Sequence, residues 1–253
     1  MARNNYSGLA TRLYVDADLT TGQAVVLPAD KAHFLGRVLR LSDGASLGLF
    51  NGRDGLWQAS ITALEKRQAV LALEQQLMAQ PVTAHGPHLI MPPIKKARAD
   101  WLVEKATELG VAAITPVVTE HTAVRDVKRE RWRKITIEAA EQCERLTLPT
   151  LVDPQPLGQC LEQWPVDQPL FVATERLSAP LLTQAVTQTA AHAILVGPEG
   201  GFSSAELDQF GKLPFVHMIS LGPQVLRAET AALAALAILN ASAGAPGDAS
   251  PNS

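Results

Sequence analysis

The chain has little cysteine, and its spacing pairs nothing. Cys143 and Cys160 stand alone with no CxxC, so neither a disulfide framework nor a zinc site is supported and each reads as a plain thiol. Long apolar runs are missing too: the longest, Ala231 to Leu239, is too short to span a bilayer. Met1 to Tyr6 form no signal-peptide pattern, so the expected compartment is the cytosol. Absent as well are GxxxxGK followed by Ser or Thr, GxGxxG, HExxH and GxSxG. A phosphate-loop hydrolase, a standard dinucleotide binder, a zincin and a serine hydrolase lose support together, and no metal is expected.

What is present is ordinary in bulk and uneven in placement. With 253 residues, 47% hydrophobic and 19% charged, the chain reads as a soluble globular protein of one large or two modest domains. A net charge of −3 argues by itself against nucleic acid. Residues 1–134, however, hold 18 Lys+Arg against 13 Asp+Glu, whereas 135–253 hold 4 against 12. Either a polyanion contacts the first half, or two domains merely differ in surface.

Residues 11–77 read mainly as short strands, at 13–15, 24–27, 46–50, 56–61 and 69–73, in a small barrel or curled sheet. One helix interrupts them over 30–41. Phe34, Val38 and Leu41 share its inner face, and His33, Arg37 and Arg40 share another, which is either solvated or tracks phosphates. Residues 78–87, with Gln80-Pro81 and His85-Gly86-Pro87, form a linker. From His88 strands alternate with helices: strands at 88–91, 113–118, 169–174, a run ending at Gly197, and 215–220; helices at 99–109, 130–145, from Pro180, from Ser203, and 228–241. That alternation predicts an α/β domain with a mostly parallel sheet. Residues 243–253, rich in Ala, Gly, Pro and Ser, are expected to be disordered.

In such a sheet ligands collect at the carboxyl ends of strands, where Thr174, Gly197 and Gly222 fall. The stretch Ile194 to Phe202 ends a buried strand in Gly197-Pro198-Glu199-Gly200-Gly201, and Ile219 to Pro223 repeats the device. Glycine permits φ > 0 and close approach by a ligand, while Ser203 and Glu206 have capping-box spacing. Backbone atoms at three strand ends suit a purine and ribose. Arg227 opens an otherwise apolar helix, either as an ion-pair partner of Glu229 or another carboxylate or as a functional cation. Lys95-Lys96-Ala97-Arg98 and Arg125 to Lys134 are the basic clusters, an RNA surface or solvated helix entries. Glu138, Glu141, Gln142 and Arg145 either line a cleft or belong to a surface helix.

Taken in order, His33 with Arg37 to Arg40, Lys95 to Asp100, Glu104 to Gly110, Glu138 to Cys143, Gly197 to Phe202, and Leu226-Arg227 with Glu229-Thr230-Ala231 form a specific combination over nearly all of 11–240. In them the chain resembles the RsmE group of 16S ribosomal RNA uridine-N3 methyltransferases, of the SPOUT (trefoil-knot) superfamily. The resemblance implies a PUA-like RNA-binding β-barrel at 1–77 and a trefoil-knotted SPOUT domain at 88–242. It also implies S-adenosylmethionine as cofactor, 16S rRNA of the small subunit as partner with uridine 1498 as target, and a homodimer. Cofactor contacts are implied at Thr174, Glu175, Val196, Gly197, Pro198, Gly200, Gly201, Leu221, Gly222, Leu226 and Thr230. Arg227 would stabilise charge on the uracil, with Glu199 or water taking its proton. RNA would be met by His33, Arg37, Arg40, Lys95, Lys96, Arg98, Arg125, Gln142 and Arg145. The chain departs from the pattern at His121-Thr122, where many relatives have Arg-Ser, and at Ala32-His33, where two histidines are common. A relative that binds rRNA as an assembly factor without methyl transfer is the alternative. Methylation of a transfer RNA ribose fits the β-rich N-terminal domain less well.

Overall fold

Short apolar runs without polar alternation belong in a sheet covered on both faces, and the computed structural model builds one from them. It describes residues 8–81, 86–124, 126–174, 178–186 and 193–242. The chain divides into two compact units, one of Met1–Thr83 with Ala140–Leu148 and the other of Ala84–Ala139 with Pro149–Ser253.

The first unit comprises β1 (Arg12–Tyr14), β2 (Ala24–Leu27), α1 (Ala29–His33), β3 (Ser46–Phe50), β4 (Leu56–Leu64) and β5 (Ala69–Met78). Its sheet runs β1-β3-β4-β5-β2 and is antiparallel except for the β1–β3 pair. Three register shifts between β4 and β5 bend that long pair. Leu13, Leu35, Leu47, Leu49, Ile61 and Leu71 fill the core. The expected helix over 30–41 is not a single α-helix: α1 continues as a π-helical turn, Phe34–Val38, in which Leu39 N–H donates to the Phe34 carbonyl. The wider turn changes which residues face inward. Leu35 is fully buried, whereas Val38, expected on the inner face, is 60% exposed. Arg40 then takes a left-handed φ of 55°.

Residues 140–148 join this unit through three polar contacts. The Tyr14 N–H and Lys31 Nζ both donate to Glu141 Oε1, at 2.8 and 2.6 Å, and Arg12 pairs with Glu144 at 3.2 Å. These residues belong to the stretch 88–242 that the sequence assigns to the second domain, and they pack with the first unit.

The second unit comprises β6 (His88–Met91), α2 (Lys96–Glu108), β7 (Ala113–Val118), α3 (Arg129–Gln142), β8 (Thr150–Leu151), β9 (Gln155–Pro156), α4 (Leu157–Glu162), β10 (Leu170–Ala173), α5 (Leu182–Ala185), β11 (Ala193–Leu195), α6 (Ser204–Phe210), β12 (Val216–Ile219) and α7 (Ala228–Ser242). The strand order is β12-β10-β11-β6-β7-β8, with β9 also on β7, and every pairing is parallel. A mixed α/β fold with a parallel sheet is thus as expected. On one face α7 buries Ala232, Ala235, Leu236 and Leu239 with Leu102, Val103 and Ala106 of α2; on the other lie Leu157, Leu161, Phe210 and Phe215.

Several boundaries differ. Helix α2 starts three residues early because Lys96, Ala97 and Arg98 add no apolar signal, and α3 stops at Gln142, with Glu144 left-handed at φ 61°. Helix α5 is four residues long because Leu181 still bridges Ser220 as extended chain, and Ser178 does not cap it. The elements β8, β9 and α4 were not expected. The central linker residues 82–85 and the tail 243–253 lie outside the described residues.

Candidate active site

Strand β10 lies between β12 and β11, so the chain leaves the sheet three times along one edge. Each exit is shaped by its own short-range chemistry. After β10, Thr174 donates its N–H to the Ile219 carbonyl at 2.9 Å and is buried. After β12, Ser220 Oγ accepts the Gly222 N–H at 3.2 Å and turns the chain. After β11, Gly201 N–H donates to the Pro198 carbonyl at 2.9 Å, closing a turn with Gly201 left-handed at φ 71°. Gly200 has a different reason to lack a side chain: a Cβ there would stand 3.1 Å from His121 Cβ. Helix α6 follows with the predicted capping box, Ser203 Oγ accepting from Glu206 N–H and Glu206 Oε2 accepting from Ser203 N–H.

The three exits enclose one cavity of about 470 Å³, within the usual range for small-molecule sites. Thr174, Gly197, Pro198, Glu199, Gly200 and Gly201 line it, as do Leu221, Gly222 and Leu226. Sequence reasoning missed Phe202 and Leu207 on one wall, the loop residues Pro223, Gln224 and Val225, and Ala228 and Ala231 of α7. The helical spacing of Ala228 and Ala231 was a usable signal, since both fall on one face. Among the described lining residues Glu199 is the one ionisable group. Among these lining residues a phosphate would meet a carboxylate and no cation, so a cationic or neutral ligand is favoured.

Two expected contacts lie elsewhere. Val196 is 1% exposed in the core, donating its N–H to Ile90, and Thr230 is exposed on α7 away from the lining. Glu175 and Arg125 fall outside the described residues.

Charge gathers at the edge of the cavity. Arg98 of α2 stands 3.7 Å from Glu199 and 3.4 Å from Glu229, joining the glycine-rich turn to the first turn of α7. Glu229 is buried, with Oε2 lacking a hydrogen-bond partner among the described residues. Arg227 is not its partner. Exposed one residue beyond Leu226, Arg227 makes no ion pair among the described residues.

Of the expected RNA-facing residues, His33, Arg37, Arg40, Lys95, Lys96 and Gln142 are exposed. Arg98 is occupied as described, and Arg145 is turned inward, its Nε donating to Thr147 Oγ1 at 2.9 Å. Burial lowers the Arg145 pKa. Glu141 braces the first unit. Burial pushes the Cys160 thiol up to about 11, so it is a protonated, inert thiol.

Comparison with known proteins decides the family. The RNA methyltransferase domain family matches residues 84–240, and the RNA methyltransferase PUA domain family matches 27–74. Ribosomal RNA small subunit methyltransferase E of Rickettsia conorii is 34% identical over 236 residues, 89% of this chain and 93% of that protein. This chain belongs to the ribosomal RNA small subunit methyltransferase E family. The Synechocystis member is likewise 34% identical, over 92% of this chain and 78% of its own. The crystal structure of the Neisseria gonorrhoeae member, bound to S-adenosylmethionine, superposes with a TM-score of 0.79 at 31% identity, over 91% of this chain and 97% of that one. A Legionella pneumophila protein solved in complex with the same cofactor gives 0.80 at 33% identity, over 92% and 97%. The N-terminal unit is accordingly a PUA domain, as the resemblance implied.

Proposed function

We propose that this chain transfers the methyl group of S-adenosylmethionine to N3 of a uridine in small-subunit ribosomal RNA, uridine 1498 being the family's target. The observation that carries the reading is the cavity at three neighbouring strand ends, backbone-rich and bearing a carboxylate as its described ionisable group. A nucleoside with a sulfonium suits that lining and a nucleotide does not. The main chain of Gly197 to Gly201 and of Leu221-Gly222 would hold it, with Thr174, Leu226 and the small residues Ala228 and Ala231 as walls.

When bound, S-adenosylmethionine supplies a methyl group already made electrophilic by its sulfonium. The protein therefore has to orient the uracil and manage its imide proton. Transfer to N3 would break the methyl–sulfur bond and leave a neutral thioether, while Glu199 takes the proton released from N3. Its side chain is 46% exposed, so the proton passes on to solvent. Arg227 offsets negative charge on the uracil carbonyl oxygens, a role that needs a guanidinium with no prior carboxylate partner. The base enters unstacked, because its N3 edge is inaccessible in a paired helix. His33, Arg37, Arg40, Lys95 and Lys96 supply charge for the RNA backbone. The working form is a homodimer in the cytoplasm, where small subunits assemble.

Incubating the purified chain with methyl-labelled cofactor and unmodified small subunits tests this. Label is expected in 3-methyluridine; label in a ribose methyl, or none in RNA while the cofactor still binds, counts against it.

A further inference from the structure

The glycine-rich turn is held from outside the cavity by a loop that lines no part of it. That loop, Thr119 to Thr122, follows β7, which is not the neighbour of β11 in the sheet; β6 lies between them. It is a rigid piece. Thr119 and Thr122 are 4% and 7% exposed, Thr122 Oγ1 accepts the Thr119 N–H at 2.8 Å, and the two hydroxyls meet at 2.7 Å. Two contacts then cross to the turn and its helix. The Glu120 N–H donates to Glu206 Oε1 at 2.9 Å, using the oxygen that the capping box leaves over. His121 Nδ1 lies 3.1 Å from the Gly201 carbonyl oxygen. A carbonyl only accepts, so Nδ1 carries the proton in this contact. His121 Cβ also packs against Gly200 so closely that a Cβ on Gly200 would stand 3.1 Å away.

We propose that His121 is a positioning residue for the cofactor turn: by donating from Nδ1 to the Gly201 carbonyl on the outer side, it fixes the backbone atoms that Gly197 to Gly201 present inward. Gly201 is left-handed and Gly200 has no side chain, so this is the segment of the lining with the greatest conformational freedom. A single external hydrogen bond reduces that freedom before ligand arrives, which raises affinity without touching the ligand. The inference rests on the cavity being the S-adenosylmethionine site.

The test is calorimetric titration of the full chain with S-adenosylmethionine, alongside the thermal midpoint of the ligand-free protein. For His121→Ala the Kd rises about twofold to tenfold, the weight of one exposed neutral hydrogen bond, with the midpoint unchanged. The amide nitrogen of His121→Asn sits where Nδ1 sits and returns Kd to the wild-type value; His121→Gln, whose amide reaches the Nε2 position, does not. In turnover the loss appears in KM for the cofactor and not in kcat. An unchanged Kd in His121→Ala overturns the proposal. So does a raised Kd that His121→Asn fails to restore while the midpoint falls, which marks a merely structural role. If the wild-type chain binds no cofactor at all, the cavity assignment itself fails, an outcome distinct from equal binding by wild type and variant.

Discussion

Arg98, in the first turn of α2, and Arg227, just before α7, both stand beside residues that line the cavity, and the chain uses them differently. Arg98 is spent on Glu199 and Glu229, whereas Arg227 is exposed with no ion pair among the described residues. Sequence alone left an Arg227–Glu229 pair open, because the two are near in the chain; Arg98 reaches Glu229 from a different helix, which no local pattern reveals. If Arg227 acts on the uracil, Arg227→Ala lowers kcat by about a hundredfold to a thousandfold with the cofactor Kd unchanged; near-normal single-turnover rates would remove it from the mechanism. A second residue makes stability depend on pH. Burial pushes the His88 imidazole down from 6.5 to about 4, with Nε2 2.7 Å from Thr115 Oγ1. The unfolded chain therefore takes up a proton that the folded chain refuses between those values, so stability is full above pH 6.5 and is lost as pH falls toward 4. Urea midpoints measured across this window should fall, and the fall should be shallower in His88→Gln.

Elements set by near neighbours were legible, and those set by distant ones were not. Ser203 and Glu206 form the capping box that their spacing indicated, because both hydrogen bonds close within one turn. Replacing Ser203 with Ala should lower stability by about 1 kcal/mol, read as a shift in the unfolding midpoint, and also weaken cofactor binding through the turn that precedes α6. The π-helical turn at Phe34–Val38 was not visible, since its widening is set by the burial of Leu35 against the sheet and not by any local residue preference. Nor was the role of Glu141, whose partners Tyr14 and Lys31 lie 127 and 110 residues away. Two-residue strands such as β8 and β9 carry no periodicity to read. His33, Arg37 and Arg40 all remain exposed after the change of helix type. Removing Arg37 and Arg40 should weaken RNA binding and reduce the slope of log affinity against log salt by about one unit each; an unchanged slope would place RNA elsewhere.

For the whole molecule, the chain folds as two units of different architecture, a mixed sheet in the PUA domain and a parallel sheet in the methyltransferase domain, and the uneven charge read from the sequence does not follow them, since the basic residues from Lys95 to Lys134 belong to the second unit. The cavity falls where a parallel sheet places ligands, at the carboxyl ends of neighbouring strands, and this much was legible because strand ends marked by glycine and proline appear in the sequence itself. That the three ends are adjacent follows from the order β12-β10-β11, which only the pairing reveals. The proposed transfer to N3 of uridine is tested most directly by nucleoside mass spectrometry of small-subunit ribosomal RNA. RNA from cells lacking this chain should have no 3-methyluridine at the target position, and the wild-type chain should restore it while Arg227→Ala does not. Three-methyluridine at that position in the absence of the chain would contradict the account.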